Sequence, residues 1–274
     1  MNHRKKVLAL WLGAAVLLLA GAVLTGSPGR AESVQEAMRD AVLHGANRIS
    51  LLGLKEVNPG MISALTVTGA LLAAAACIRV LVIPRFQYVP GRLQLLLEEA
   101  VGLFDRMAKT NSPHRSGFLG LYIFSAGAYI FVGTLFELLG LQAVTTAGRP
   151  ITLPAPLSDV NAAIALGCLS YLVILSGGIA GNGAGGIGKT LKEFSLPISM
   201  SFRLFGALLS GLLVTELVYY FVGLSFVLPV VVGVLFTLLH ALIQTYVLTM
   251  LTALYYGEVS EPARRERKST ARSA

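Results

Sequence analysis

The 274 residues include 22 Lys+Arg and 14 Asp+Glu, with a hydrophobic fraction of 55% and a charged fraction of only 13%. Soluble domains run near ~25% charged, so this balance excludes an ordinary soluble enzyme and a disordered chain alike. The net charge of +8 could suggest nucleic acid, but the charges sit between long apolar runs, and runs of about 18 residues or more are membrane-spanning candidates.

Residues 7–25 are uncharged and follow Arg4, Lys5 and Lys6, and Gly29-Arg30-Ala31 offers a small-x-small cleavage site. Residues 1–31 therefore read as a signal peptide or signal anchor, with cleavage expected next to Glu32. Residues 32–60 are polar and end in a turn at Asn58-Pro59-Gly60. The uncharged run 61–78 leads to Arg79 and Arg85 and reads as a helix crossing from outside to inside. Over 90–110, apolar Leu93, Leu96, Leu97, Val101 and Phe104 alternate with Arg92, Glu98, Glu99, Asp105 and Lys109. That pattern predicts an amphipathic helix on the inner surface or against a partner.

Residues 117–136 return as a helix ending at Glu137, and a turn-rich loop with Pro150, Pro154 and Pro156 follows. Asp159 is placed to cap the next helix, which opens the uncharged run 160–188; its glycine-rich tail from Gly177 to Gly188 reads as loop. A last hairpin is expected over roughly 195–222 and 226–256. Both arms exceed ~40 Å at ~1.5 Å per residue, against a hydrocarbon core of ~30 Å, so strong tilt is expected. Tyr219, Tyr220, Tyr255 and Tyr256 read as interfacial anchors. Cys77 and Cys168 read as small buried hydrophobes, not a disulfide.

The expected fold is an all-α integral membrane protein. It has five transmembrane helices after the N-terminal segment, one amphipathic inner-surface helix, and a membrane domain over 32–259. Charge bias supports the orientation: the inner segments 85–116, 182–194 and 260–274 hold twelve Lys/Arg, whereas 141–157 holds only Arg149. By the positive-inside rule the basic tail 260–274 is cytoplasmic, and it reads as a topology determinant without a nucleic-acid partner. Gly183-Ala184-Gly185-Gly186-Ile187-Gly188-Lys189-Thr190 fits the phosphate-loop pattern. That loop works only between a strand and a helix; here a membrane helix precedes it, so no nucleotide, metal or other cofactor is expected.

Few residues in the spans ionise: Glu137 at a helix end, Arg203, Glu216 and His240. An arginine at bilayer depth costs from ~3 to more than ~10 kcal/mol and stays charged, so it needs a carboxylate or water. Gly206, Ala207, Ser210 and Gly211 follow Arg203 at helical spacing and leave a small-residue face suited to close helix approach. Gln244 lies on the last helix, with His240 one turn before it on the same face.

Leu196-Pro197-Ile198-Ser199, then Arg203-Leu204-Phe205-Gly206, then Gln244-Thr245-Tyr246-Val247 together resemble subunit a of the rotary F-type ATP synthase. Weaker similarities lie at Val89-Pro90-Gly91-Arg92, Leu135-Phe136-Glu137-Leu138, Pro156-Leu157-Ser158-Asp159 and Gly186-Ile187-Gly188-Lys189, so the resemblance covers roughly 50–257. It implies a non-catalytic, ion-translocating subunit in a bacterial cytoplasmic membrane. Its partners would be a c-ring, peripheral-stalk b subunits and lipid. Two offset half-channels would load and unload ions, expected to be protons, on ring carboxylates beside the hairpin 195–256. Arg203 would separate the half-channels.

The chain departs from the family pattern in several places. Ala207 stands where Asn is common, Leu212 and Thr237 stand where acidic or His residues are usual, and the linker from Glu193 to Pro197 is short. Glu216, one turn beyond Leu212, is expected to supply the displaced carboxylate, with Ser210, His240 and Gln244 as further polar steps. Two alternatives belong to other classes: a secondary transporter binding an anionic solute at Arg203, and a membrane scaffold indifferent to Arg203→Leu.

Overall fold

The computed structural model describes residues 13, 16, 20, 49–51, 54–144, 146, 150–220 and 228–261. Most of residues 1–31, which read from sequence as a signal peptide or signal anchor, and most of the basic tail lie outside these residues. The polar stretch before the first long helix ends in a short antiparallel hairpin, β1 (Ile49–Leu51) and β2 (Leu54–Val57). Helix α1 (Pro59–Cys77) starts where the Asn58 side chain accepts a hydrogen bond from the Gly60 amide at 2.9 Å. Proline in the first turn is favourable, because its missing N–H has no helical partner to lose. The helix continues through a π turn at Ile78–Val82 and a 3-10 turn at Ile83–Arg85, where Pro84 ends it.

The amphipathic helix expected over 90–110 is α2 (Arg92–Asn111). Phe104 on its inner side meets Phe124 edge to face at 5.6 Å, whereas Leu93, Leu96 and Leu103 stay exposed. Helix α3 (Ser116–Leu135) passes into a 3-10 turn (Phe136–Leu139) that closes on Gly140. Gly140 has φ +57°, a left-handed conformation that glycine adopts without the Cβ penalty. The turn-rich loop then folds as a second antiparallel hairpin, β3 (Gln142–Val144) and β4 (Pro150–Thr152). Asp159 caps α4 (Val160–Asn182) as expected, accepting from the Asn161 amide at 2.8 Å. Its other oxygen accepts from Asn58 Nδ2 at 2.6 Å, so one carboxylate ties the starts of α1 and α4 together.

The glycine-rich tail is not a loop. Helix α4 runs to Asn182, and α5 (Ala184–Lys192) begins two residues later. The glycines serve packing: a Cβ on Gly186 would collide with the Gly178 backbone, and a Cβ on Gly178 would meet Thr190 Oγ1 at 2.6 Å. Helices α6 (Ser195–Tyr220) and α7 (Leu228–Ser260) form the last hairpin. Helices α3, α4, α6 and α7 enclose the main core, which includes Leu119, Ile123, Ile174, Met200, Leu204 and Leu248. A smaller core of Ile49, Val67, Phe136 and Leu153 lies beneath the hairpins.

Four helical segments are long and apolar enough to cross a membrane: Pro59–Arg85, Ser116–Leu139, Val160–Asn182 and Gly233–Ser260. The expected fifth span is met only when α5 and residues 195–211 of α6 count as one pair, bent by 49°. The bundle thus has a hairpin end, with β1–β4, and a basic end, with Arg85, Arg115, Lys189 and Lys192.

Two smaller readings are corrected. Cys77 and Cys168 are both exposed on the outside of the bundle, where a small apolar group meets no penalty in lipid. Tyr256 is no interfacial anchor: it is buried, because Gly177 leaves its ring room against α4. Tyr219 and Tyr220 have side chains outside the described residues.

Candidate functional site

Helix α6 has two unlike faces. Met200, Leu204 and Leu208 recur at four-residue spacing and are 2%, 1% and 4% exposed, which fixes this face against the core. The opposite side carries Arg203, Gly206 and Ser210, all exposed. Arg203 makes no ion pair or hydrogen bond among the described residues. Its neighbour Phe202 is 71% exposed, so the guanidinium stands on an apolar surface. Beyond it toward the hairpin end runs a groove of about 290 Å³, lined by Gly206, Leu209, Ser210, Leu213, Val214 and Leu217. The exposed apolar side continues on α7 with Leu235, Leu239, Leu242 and Tyr246.

The small-residue face read from sequence is therefore divided. Gly206 and Ser210 flank Arg203 on the outer side, whereas Ala207 and Gly211 turn inward. There they join Leu208, Phe236, Thr237, His240, Thr134 and Glu137 around a cavity of about 10 Å³. This is near the lower limit for one water molecule. His240 is half-buried; its Nδ1 lies 2.8 Å from the Phe236 carbonyl oxygen, and its ring stacks on Phe236 at 4.9 Å.

Gln244 is only 6% exposed, and its Oε1 is buried without a hydrogen-bond partner. Leaving such an acceptor unpaired costs about 1–3 kcal/mol. His240 and Gln244 are one turn apart, yet His240 borders the cavity and Gln244 does not. Glu216 lies on the α6 backbone, but its side chain, like those of Leu212 and Thr215, lies outside the described residues.

Sequence reasoning placed Glu137 only at a helix end. The structure sets it, half-buried, on the cavity that holds His240. The two residues stand far apart in the chain, so their only sequence signal is that each is an ionisable residue in an apolar run. At the basic end a wider cavity of about 480 Å³ is lined by Asn111, Pro113, His114, Leu254, Gly257, Glu258 and Glu261. The stretch that matches the phosphate-loop pattern lies in α5 after helix α4, and Thr190 Oγ1 donates back to the Gly186 carbonyl at 3.0 Å.

A family model described as ATP synthase A chain matches residues 60–257. Two curated relatives are similar to this chain, both ATP synthase subunit a of Cereibacter sphaeroides, from strains ATCC 17025 / ATH 2.4.3 and ATCC 17029 / ATH 2.4.9. Each is 29% identical over 192 residues, covering 66% of this chain and 74% of the relative.

Proposed function

The chain belongs to the ATP synthase A chain family, and from that premise we propose that it is the ion-translocating stator of a rotary ATP synthase. A ring of c subunits runs along the exposed side of α6 and α7, and Arg203 attracts each ring carboxylate as it arrives ionised. The observation that carries this reading is the placement of Arg203: a permanent charge held outward on an apolar face by a helix whose opposite side is packed. Such a charge is stabilised only by a partner from another chain or by water. The groove beside it, floored by Gly206 and Ser210, leaves room for a helix to pass.

Two offset half-channels load and unload the ring with ions, which we take to be protons. The small cavity at Glu137 and His240 supports an outer path, and the wide cavity at His114 and Glu258 supports an inner one. Glu216, about a turn and a half beyond Gly211 toward the hairpin end, is the proposed outermost carboxylate of the outer path. Ser210 and Gln244 are the proposed polar steps at the ring. Each proton moving down the potential releases ~2.3 kcal/mol per 100 mV, which the ring delivers as torque. Peripheral-stalk b subunits hold the chain against that torque in a bacterial cytoplasmic membrane, with the C-terminus cytoplasmic. Nucleotide chemistry belongs to the soluble head.

Cross-linking tests this placement. In the intact complex, Ser210→Cys should form a disulfide with cysteines placed along the outer helix of a c subunit. Absence of any such product across one full turn of ring positions would remove the ring from this face. For the outer path, Glu216→Gln is expected to slow proton pumping while Glu216→Asp retains part of it. Wild-type pumping by Gln from about pH 6 to pH 9 would take Glu216 out of the path.

A further inference from the structure

The short helix α5 carries charge and apolar surface that the proposed role leaves unused. At ~100° per residue its positions fall into three sectors. Gly186 and Thr190 are buried on the side that meets α4, where Gly186 lies on the Gly178 backbone. Ile187 and Leu191 turn to one side of that contact and are 39% and 56% exposed. Lys189 and Lys192 turn to the other side and are exposed as well. Phe194, in the link to α6, adds a ring that is 64% exposed.

The two lysines differ from several other cations of the chain. Arg106 and Lys109 of α2 pair with Glu99 and Asp105, and Arg115 donates to the Ala180 carbonyl. Lys189 and Lys192 make no ion pair or hydrogen bond among the described residues. Glu193, beside them in sequence, is half-buried. Helix α5 is also too short to span: its 9 residues make about 14 Å of helix, against ~30 Å of hydrocarbon. It is bent by 49° from residues 195–211 of α6, so it runs oblique to that helix at the basic end. A short helix with one apolar side and one cationic side suits a membrane surface.

We infer that α5 is a docking site for an acidic phospholipid in the leaflet at the basic end. Ile187, Leu191 and Phe194 take the acyl chains, and Lys189 and Lys192 take the phosphodiester headgroup. A lipid is the occupant because the two unlike sectors lie side by side. Free phosphate would use the lysines and leave the apolar sector without a partner. A neutral lipid would use the apolar sector and leave the lysines unpaired. Each lysine near an acidic surface favours it about 5-fold. The inference goes beyond the stator reading and does not depend on which ion moves. Its consequence is mechanical. The Gly186–Gly178 contact holds α5 on one side and lipid holds it on the other, and two residues later begins α6, which carries Arg203.

The test uses the whole complex reconstituted in phosphatidylcholine vesicles with a minor fraction of phosphatidylglycerol. Phosphatidylglycerol and phosphatidylcholine probes, each with a photoreactive group in the acyl chain, are compared at equal concentration. The phosphatidylglycerol probe should label residues 183–194 about 10-fold more than the other. Combining Lys189→Gln with Lys192→Gln should bring the two probes to within about 2-fold, and the corresponding Arg pair should keep the preference. Inorganic phosphate at constant ionic strength should not compete. Equal labelling by the two probes, or a preference unchanged by the Gln pair, overturns the inference. Competition by phosphate would make the lysines a free-anion site, and no label from either probe would mean that protein covers α5; each overturns it as well. Should the Gln pair not assemble, the wild type in ~1 M salt decides, because a screening length of ~3 Å should abolish the preference and its survival overturns the inference. Labelling requires no ion movement, so its outcome is separate from that of any test of Arg203.

Discussion

Vesicles carrying Arg203→Ala are expected to lose ion-driven ATP synthesis by about 100-fold or more, while the complex still assembles. Both halves follow from one placement. Arg203 is exposed on α6 and makes no hydrogen bond or ion pair within the described chain, so removing it deprives the fold of nothing. On the proposed stator role, the loss falls on the ring carboxylate, which would no longer meet a fixed positive charge where it must be ionised. Stripping a desolvated charge of its partner costs about 3–5 kcal/mol, or a factor of about 100 to several thousand. Passive ion leak is expected to persist, because on the proposed role nothing would then separate the two half-channels. Lysine should not restore synthesis: it lacks the planar fork and deprotonates more readily when desolvated. Synthesis and passive proton uptake, measured on the same vesicles, check both parts. Wild-type synthesis by Arg203→Ala would remove the residue from the mechanism.

Gly186→Val is expected to lower the amount of assembled subunit in membranes by about 10-fold or more. The added Cβ would fall on the carbonyl, carbon and Cα of Gly178 in α4. These are backbone atoms and cannot rotate aside, so α5 must move off α4. Overpacking of this kind costs about 1–3 kcal/mol and sometimes more, and each 1.4 kcal/mol is about a factor of ten. The displaced helix also carries the Thr190 carbonyl that accepts from Tyr171 Oη at 3.0 Å. Since α5 leads directly into α6, the seat of Arg203 should shift as well. Gly185→Ala and Gly188→Ala are the controls: nothing lies within 4 Å of a Cβ at either position. Their helix propensity improves by up to about 1 kcal/mol, so their membrane levels should equal or exceed wild type. Quantitative immunoblotting of membranes checks all three.

What was legible in the sequence follows from physics that acts locally. Uncharged runs and a capping aspartate placed both ends of α3 and the start of α4 to within a residue, because burial and capping read directly from residue order. The amphipathic period gave α2 for the same reason. The stretch 177–188 was misread because glycine has two uses with one appearance. It frees a loop, and it lets two helix backbones touch; only the facing Gly178 and Gly186 distinguish them. The short hairpins over 49–57 and 142–152 were missed because strands of three or four residues give too few alternations to register. At the site, Arg203 was visible as a costly charge in an apolar run. The cavity pair was not, since Glu137 and His240 meet only after α3 and α7 have packed. Likewise Gln244 was expected to share a channel with His240 from helical spacing alone, but the bundle buries the one and leaves the other beside a cavity.

Helix α1 is attached to the bundle at one end. Its buried residues, Pro59, Gly60, Ser63 and Val67, all belong to the first nine positions, and the Asn58–Asp159 hydrogen bond lies just ahead of them. Only 6% of its most apolar window is buried. The segment Pro59–Arg85 has 27 residues, nearly 40 Å of helix at ~1.5 Å per residue, for a hydrocarbon layer of ~30 Å. A rod pinned at its hairpin end and longer than the layer it crosses takes its angle from that layer. Thin bilayers should lay it over and thick ones should stand it up, with Arg79 and Arg85 riding at the far surface. The angle at which this helix leaves the bundle is therefore a property of lipid as much as of protein.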